Sequence, residues 1–134
     1  DIGLGLSMMQ PNKRVIVIDG DGALLMRLGA MSTVGFMAPE NLTHIVLDNG
    51  VYESTGSQKT VSSILDFKMF AHSNCYRNSS KLNSLEDLDS LLESNKKGPN
   101  FIHFPIKAGV PNKLPRPLIS PNEVAQRFRG NIND

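Results

Sequence analysis

"RVIVIDGDGALLMRLGAMS", residues 14–32, joins one apolar run to another through Asp19-Gly20-Asp21-Gly22. The first run is β-branched and continuous, the pattern of a strand buried on both faces. The second has helical length and spacing, which predicts a helix over 23–37. Gly20 and Gly22 are expected to let the chain turn sharply and approach a ligand closely. A strand that hands over to a helix at such a turn is the start of a βαβ unit.

Working outward, the rest of the chain alternates in the same way. Residues 2–10 read as a helix ended by Pro11, and "THIVLDN" (43–49) as a second buried strand. Thr60 is placed to cap a helix over 61–72, and "NCYRN" (74–78) reads as a short strand. Ser84 with Asp87 forms a capping box opening "LEDLDSLLESN", which Gly98-Pro99 ends. "NFIHFPI" (100–106) is a further strand. Ser120, Pro121 and Glu123 form another box before "NEVAQRFRG". The proline-punctuated stretch 107–121 reads as an ordered crossing. Strands alternating with helices predict a three-layer α/β/α domain with a mainly parallel sheet.

Composition bounds what such a domain does. The sequence has 134 residues, one domain's worth, and its 40% hydrophobic content can bury a core. A formal charge of +1 carries no global signal for nucleic acid or membrane. The lone Cys75 allows no internal disulfide, fits a reducing cytoplasm, and is expected as a small semi-buried side chain. No apolar run approaches the roughly 18 residues of a membrane span. The chain opens at Asp1 without an initiator methionine, inside what reads as a helix; the expectation is a piece of a longer protein.

In parallel α/β sheets, ligands bind outside the carboxyl ends of the strands, where Asp21 stands. A helix start there favours phosphate, whereas a bare carboxylate repels it. A carboxylate holding a divalent cation resolves the conflict, because the metal bridges acid and phosphate. A second oxygen ligand is then needed from a neighbouring strand end. Asn49 follows Asp21 by 28 residues, one βαβ crossover, and would face it across adjacent strand ends. Mg²⁺ accepts a carboxylate, an amide oxygen, a backbone carbonyl and phosphate oxygens. Asp-Gly alone is a common turn; the strand before it, the helix after it and the matching Asn49 set this one apart.

These residues carry a resemblance. Gly20-Asp21-Gly22, followed at an interval by Asn49-Gly50, resembles the diphosphate motif of thiamine diphosphate enzymes. The longer stretches "DGDGALLMRLGAMSTVG" and "NLTHIVLDNGVYESTGSQKT" are similar to phosphonopyruvate and sulfopyruvate decarboxylases, and the similarity runs more weakly through "GPNFIHFPIKAGVPNKLPRPLISPNEV". The resemblance implies the thiamine diphosphate-binding fold over 1–134, with its N-terminal part outside this sequence. It implies thiamine diphosphate and Mg²⁺ as cofactors. Asp21 and Asn49 would be side-chain metal ligands and Val51 a carbonyl ligand, with Gly20, Gly22, Ala23 and Leu24 at the diphosphate. This chain has Asp48-Asn49 where the family often has Asn-Asn, and the ligand position is kept.

The implied chemistry is decarboxylation of a small 2-oxo acid to an aldehyde and carbon dioxide. In the family a glutamate on a pyrimidine-binding domain, from another subunit or another part of the chain, activates the cofactor. No segment here offers that domain, so a homo- or hetero-oligomer is expected, and no turnover by this chain alone. The sheet is expected to present an exposed apolar edge. Glu53, Ser54, Thr55 and Lys59 are candidate substrate contacts; by themselves, Glu53 and Lys59 read as solvated loop charges. His44, His72 and His103 lie within or beside apolar elements and read as structural. Lys107, Lys113, Arg116, Arg127 and Arg129 read as a solvated face with one cation near an anionic substrate.

Two other readings stand beside this one. "VIVIDGDG" also resembles the Asp-x-Asp signature of haloacid-dehalogenase-type phosphatases, with Asp19 as nucleophile and Asp21 as general acid. Those enzymes add a lysine and an acidic pair at later strand ends, and "NFIHFPIK" ends in no acidic residue. The third reading is a module that binds cofactor but turns nothing over without its partner.

Overall fold

The computed structural model describes residues 1–94, 97–109, 115 and 118–133. Its main sheet has four strands: β1 (Val15–Gly20), β2 (Leu42–Asp48), β5 (Asn78–Lys81) and β6 (Asn100–Pro105). They lie in the order β1-β2-β6-β5 and every neighbouring pair is parallel. A two-stranded antiparallel ribbon, β3 (Val51–Tyr52) with β4 (Gln58–Lys59), projects beyond the end of β2. The helices are α1 (Ile2–Met9), α2 (Asp21–Met26), α3 (Ala30–Met37), α4 (Phe67–Ser73), α5 (Glu86–Ser94) and α6 (Pro121–Asn133).

Two apolar clusters, one on each face of the sheet, make the three layers. On one face Val15, Leu42, Val46 and Phe101 pack with Leu24, Met31, Val34, Phe67 and Ala71 from α2, α3 and α4. On the other, Ile45, Ile102 and Leu82 pack with Leu88, Leu91 and Leu92 of α5. The three-layer expectation therefore holds.

Several local expectations are corrected. The apolar run of β1 is not buried on both faces: Ile16 and Ile18 are 41% and 66% exposed. β1 is an edge strand among the described residues; Val15 and Val17 pack into the core while Ile16 and Ile18 stay exposed, which gives the exposed apolar edge expected above. The helix read over 23–37 is two helices. Backbone bonds shift to i−3 acceptors through Arg27, Ala30, Met31 and Ser32, and the chain bends at 27–29. Gly20 does not make a sharp turn; its φ of −91° and ψ of 153° are extended backbone.

The helix read over 61–72 begins later. A single 3₁₀ turn at Ser62–Ile64 precedes α4, and Asp66 caps it by accepting from the Met69 N–H at 3.0 Å. Residues 74–77 form a turn, with Cys75 at φ +63°, and the strand read over 74–78 lies instead at Asn78–Lys81. Cys75 is exposed rather than semi-buried. At α5 the Ser84 hydroxyl pairs with Glu86, not Asp87. The box before α6 forms as read: Ser120 N–H donates to Glu123 at 2.6 Å and Glu123 N–H to Ser120 Oγ at 3.3 Å. Lys113, Arg116 and the rest of 110–114 and 116–117 in the 107–121 crossing lie outside the described residues.

Candidate functional site

The carboxyl ends of β1 and β2 lie side by side, with Gly20 in register with Leu47. One residue beyond that register, the chain from β1 enters α2. Asp21 is its first residue and is only 2% exposed. Its Oδ2 accepts a 2.6 Å hydrogen bond from the Thr60 hydroxyl. Thr60 is itself buried, and its N–H donates to the Gly50 carbonyl at 2.9 Å. One residue thus ties the Asp21 carboxylate to the loop that carries Asn49. Sequence reading assigned Thr60 to a helix cap; its hydroxyl accepts from the Ser62 N–H at 3.3 Å at the 3₁₀ turn and donates to Asp21, and Asp66 caps α4.

The loop 48–53 is held by its own side chains. Asp48 Oδ1 accepts from the Gly50 N–H at 3.0 Å and Asn49 Oδ1 from the Val51 N–H at 3.1 Å, two successive side-chain-closed turns. Gly50 stands at φ +72°, a conformation that favours glycine. Asn49 Nδ2 donates to Glu53 at 3.1 Å, which leaves the amide oxygen on the other side. The same Glu53 carboxylate accepts from the Gly109 N–H at 3.1 Å. Glu53 is therefore half-buried and partnered, not a solvated loop charge, whereas Ser54, Thr55 and Lys59 are exposed.

Space at the site is shaped by two positions. A Cβ on Gly22 would lie 2.6 Å from two ring atoms of Tyr52, so the start of α2 and the β3 ribbon touch because residue 22 has no side chain. At Gly20 a Cβ would meet nothing within 4 Å, leaving open room beside the strand end. α2 is only six residues long, so its dipole is short, but the free N–H groups of its first turn face the same end of the sheet. The oxygen donors here are one carboxylate, one amide and the loop carbonyls, a set suited to a small hard cation. Among the described residues no group of three or more His, Cys, Asp or Glu is placed to hold a metal.

Asp19 lies on the core face, not with Asp21. Its carboxylate accepts from the Gly20 N–H and stands 3.7 Å from His44 Nε2, an electrostatic contact too long for a hydrogen bond. His44 holds the Asp19 carboxyl below its ordinary value, against the opposing effect of burial. The His44 Nδ1 lies 3.4 Å from the phenol oxygen of Tyr76, whose pKa burial raises. These groups border a cavity of about 210 Å³ under α1 and α3. A larger cavity of about 530 Å³ lies at the amino ends of the strands, lined by Arg14, Glu40 and Asn100. Parallel sheets bind ligands at the opposite end, so its size does not make it the site.

Residues 2–104 match the family described as thiamine pyrophosphate enzyme, C-terminal TPP binding domain. The chain belongs to that family. It is 46% identical over 130 residues to phosphonopyruvate decarboxylase of Streptomyces viridochromogenes, covering 96% of this chain and 32% of that protein. It is 39% identical over 135 residues to sulfopyruvate decarboxylase of Methanosarcina acetivorans, covering 98% and 34%. The beta subunit of sulfopyruvate decarboxylase from Methanothermobacter thermautotrophicus is 36% identical over 127 residues, covering 95% and 66%. The chain thus spans about a third of the length of the first two relatives. A Mycobacterium smegmatis protein described as thiamin diphosphate-dependent shares the fold, with a TM-score of 0.65 at 22% identity over 81% of this chain and 20% of that one. Family membership displaces the phosphatase reading, in which Asp19 would have been the nucleophile. Among the described residues no helix is long and apolar enough to cross a membrane.

Proposed function

We propose that this chain is the metal- and diphosphate-holding part of a thiamine diphosphate-dependent 2-oxo acid decarboxylase, acting on phosphonopyruvate, sulfopyruvate or a related acid. The observation that carries the reading is the buried Asp21 carboxylate, linked through Thr60 to the loop of Asn49. In this reading Asp21 and Asn49 supply side-chain oxygens to Mg²⁺ and Val51 a carbonyl. Gly20, Gly22, Ala23 and the backbone of Leu24, whose side chain lies in the core, would contact the diphosphate, and the open space at Gly20 would admit it. The bound cofactor supplies the electron sink for loss of carbon dioxide.

The chain's own part is binding and orientation. Asp21 brings the negative charge that fixes the cation, and the cation offsets the diphosphate. Glu53 holds the Asn49 amide nitrogen and so fixes the amide plane; the oxygen accepts from the Val51 N–H and keeps a second lone pair for a cation. Ser54, Thr55 and Lys59, exposed on the ribbon, are the proposed substrate contacts, and the Lys59 ammonium suits a phosphonate or sulfonate. The activating glutamate is proposed to come from a pyrimidine-binding domain or subunit, as the relative named as a beta subunit suggests. The free Cys75 fits a cytoplasmic setting.

The test is calorimetric titration of Mg²⁺ and thiamine diphosphate into the natural protein, pyrimidine-binding partner included. Asp21→Ala is expected to abolish Mg²⁺-dependent cofactor binding and Asp19→Ala to leave it nearly intact. Wild-type binding by Asp21→Ala sinks the proposal.

A further inference from the structure

We infer that His103 and Asp48 form a positioning pair that sets the geometry of the metal loop, with His103 acting on Asn49 and Asp21 through Asp48. The inference rests on the proposed metal role of those two residues and extends it to a histidine that the sequence marks only as a core residue.

The pair sits where β2 ends. Asp48 is the last residue of β2, and its carbonyl accepts from the Ile106 N–H at 2.8 Å, so β6 and the residue after it fix its backbone. His103, on β6, is in register with Val46, two residues before Asp48, and on the same face of the sheet. Its Nε2 lies 2.9 Å from Asp48 Oδ2; the His103 side chain is buried, at 8% exposure, and that of Asp48 is partly buried, at 13%. An ionised carboxylate only accepts, so the imidazole Nε2–H donates. The ring packs edge-on against Phe67 at 5.1 Å between centroids, and Phe67 is fully buried. The imidazole therefore cannot swing away without opening the core.

The Asp48 carboxylate uses its two oxygens for two tasks. Oδ2 accepts from the His103 Nε2–H, and Oδ1 accepts from the Gly50 N–H. Asn49 lies between the two residues so joined. From Gly50 the connection continues: its carbonyl accepts from Thr60 N–H, and the Thr60 hydroxyl donates to Asp21. An unbroken run of hydrogen bonds thus links His103, Asp48, Gly50, Thr60 and Asp21. Two proposed ligands from different strands are referred to one buried imidazole. Groups hydrogen-bonded directly to a metal ligand typically change metal affinity about 10–100-fold when lost; His103 stands further back, behind Asp48, so the low end of that range applies to it.

Length of the side chain provides the test. In His103→Gln the amide nitrogen can take the place of Nε2 and still donate to Asp48. In His103→Asn it falls short, although the substitution is of similar polarity and smaller volume. Mg²⁺ is titrated calorimetrically at saturating thiamine diphosphate into the natural protein with its partner domain, alongside Asp21→Ala. The expectation is Mg²⁺ affinity within about twofold of wild type for His103→Gln and about 10-fold weaker for His103→Asn, the low end of the range for groups bonded directly to a ligand. A purely structural role would lower the thermal midpoint of both variants and leave Mg²⁺ affinity alike in the two. Equal affinity of the Gln and Asn variants, with Asp21→Ala dead, overturns the pair while the metal site stands. Wild-type Mg²⁺ affinity in Asp21→Ala overturns the site itself and the pair with it.

Discussion

Replacing the Thr60 hydroxyl tests the join between the two halves of the site. Thr60→Val keeps the shape and removes the donor. The Asp21 carboxylate, 2% exposed, then loses a 2.6 Å bond, and the Ser62 N–H loses its 3.3 Å acceptor. A hydrogen bond to a charged group contributes about 1.5–3 kcal/mol. The backbone N–H adds about 1 kcal/mol, and the extra methyl recovers roughly 0.8 kcal/mol. The net loss is about 2–3 kcal/mol. For a cooperative unit of 134 residues, with an unfolding entropy of about 2.1 cal/mol/K per residue, this lowers the midpoint by roughly 7–11 °C. Thr60→Ser keeps the hydroxyl and loses only a methyl, so its midpoint should fall by no more than about 3 °C. Thermal unfolding of both variants without metal is the assay. If Val and Ser lose the same amount, packing and not the bond to Asp21 makes Thr60 matter, and the reasoning fails.

Three further outcomes are expected. Asn49→Leu should weaken Mg²⁺ and thiamine diphosphate binding together, whereas Asn49→Asp should keep the metal and lower the metal-free midpoint, because a carboxylate would then face Glu53 where Nδ2 now donates; calorimetry and melting on one set of samples decide it, and wild-type binding by Asn49→Leu removes the residue from the site. Gly35→Ala should destabilise by about 1–3 kcal/mol or more in urea unfolding, since its Cβ would lie 1.6 Å from the Asn74 carbonyl oxygen and backbone must move; an unchanged urea midpoint would contradict that contact. The Asp19 carboxyl is lowered by His44, so the stability it contributes is present above the ordinary carboxylate pKa and is lost as pH falls through the folded value. Urea midpoints followed from about pH 7 to about pH 3 should fall less steeply for Asp19→Asn than for wild type, and identical acid limbs would exclude this contribution.

What the sequence made legible divides along the range of the interactions involved. β2 and β6 are apolar runs whose burial is their own signal, and Asp21 and Asn49 stand at strand ends one crossover apart, so spacing alone juxtaposes them. β5 was misplaced because "NSSK" has no strand character of its own; its extended state comes from pairing with Asn100–His103 of β6. The first turn of α4 was misplaced because Thr60 has two possible uses. A capping threonine and one that donates to a carboxylate 39 residues away look alike in sequence, and only the path of the β3–β4 ribbon selects the second. Asp48 and His103 are 55 residues apart and belong to strands whose adjacency no local pattern states. The residues proposed to touch a ligand are thus announced by local motif, while those that hold them in place are fixed by tertiary contacts. The Asp48–His103 pair becomes visible only when β2 is known to lie beside β6, and the Thr60–Asp21 bond only when the path of the β3–β4 ribbon is known. Substitutions at these three positions therefore probe the fold's contribution to the site, and substitutions at Asp21 and Asn49 probe the motif's.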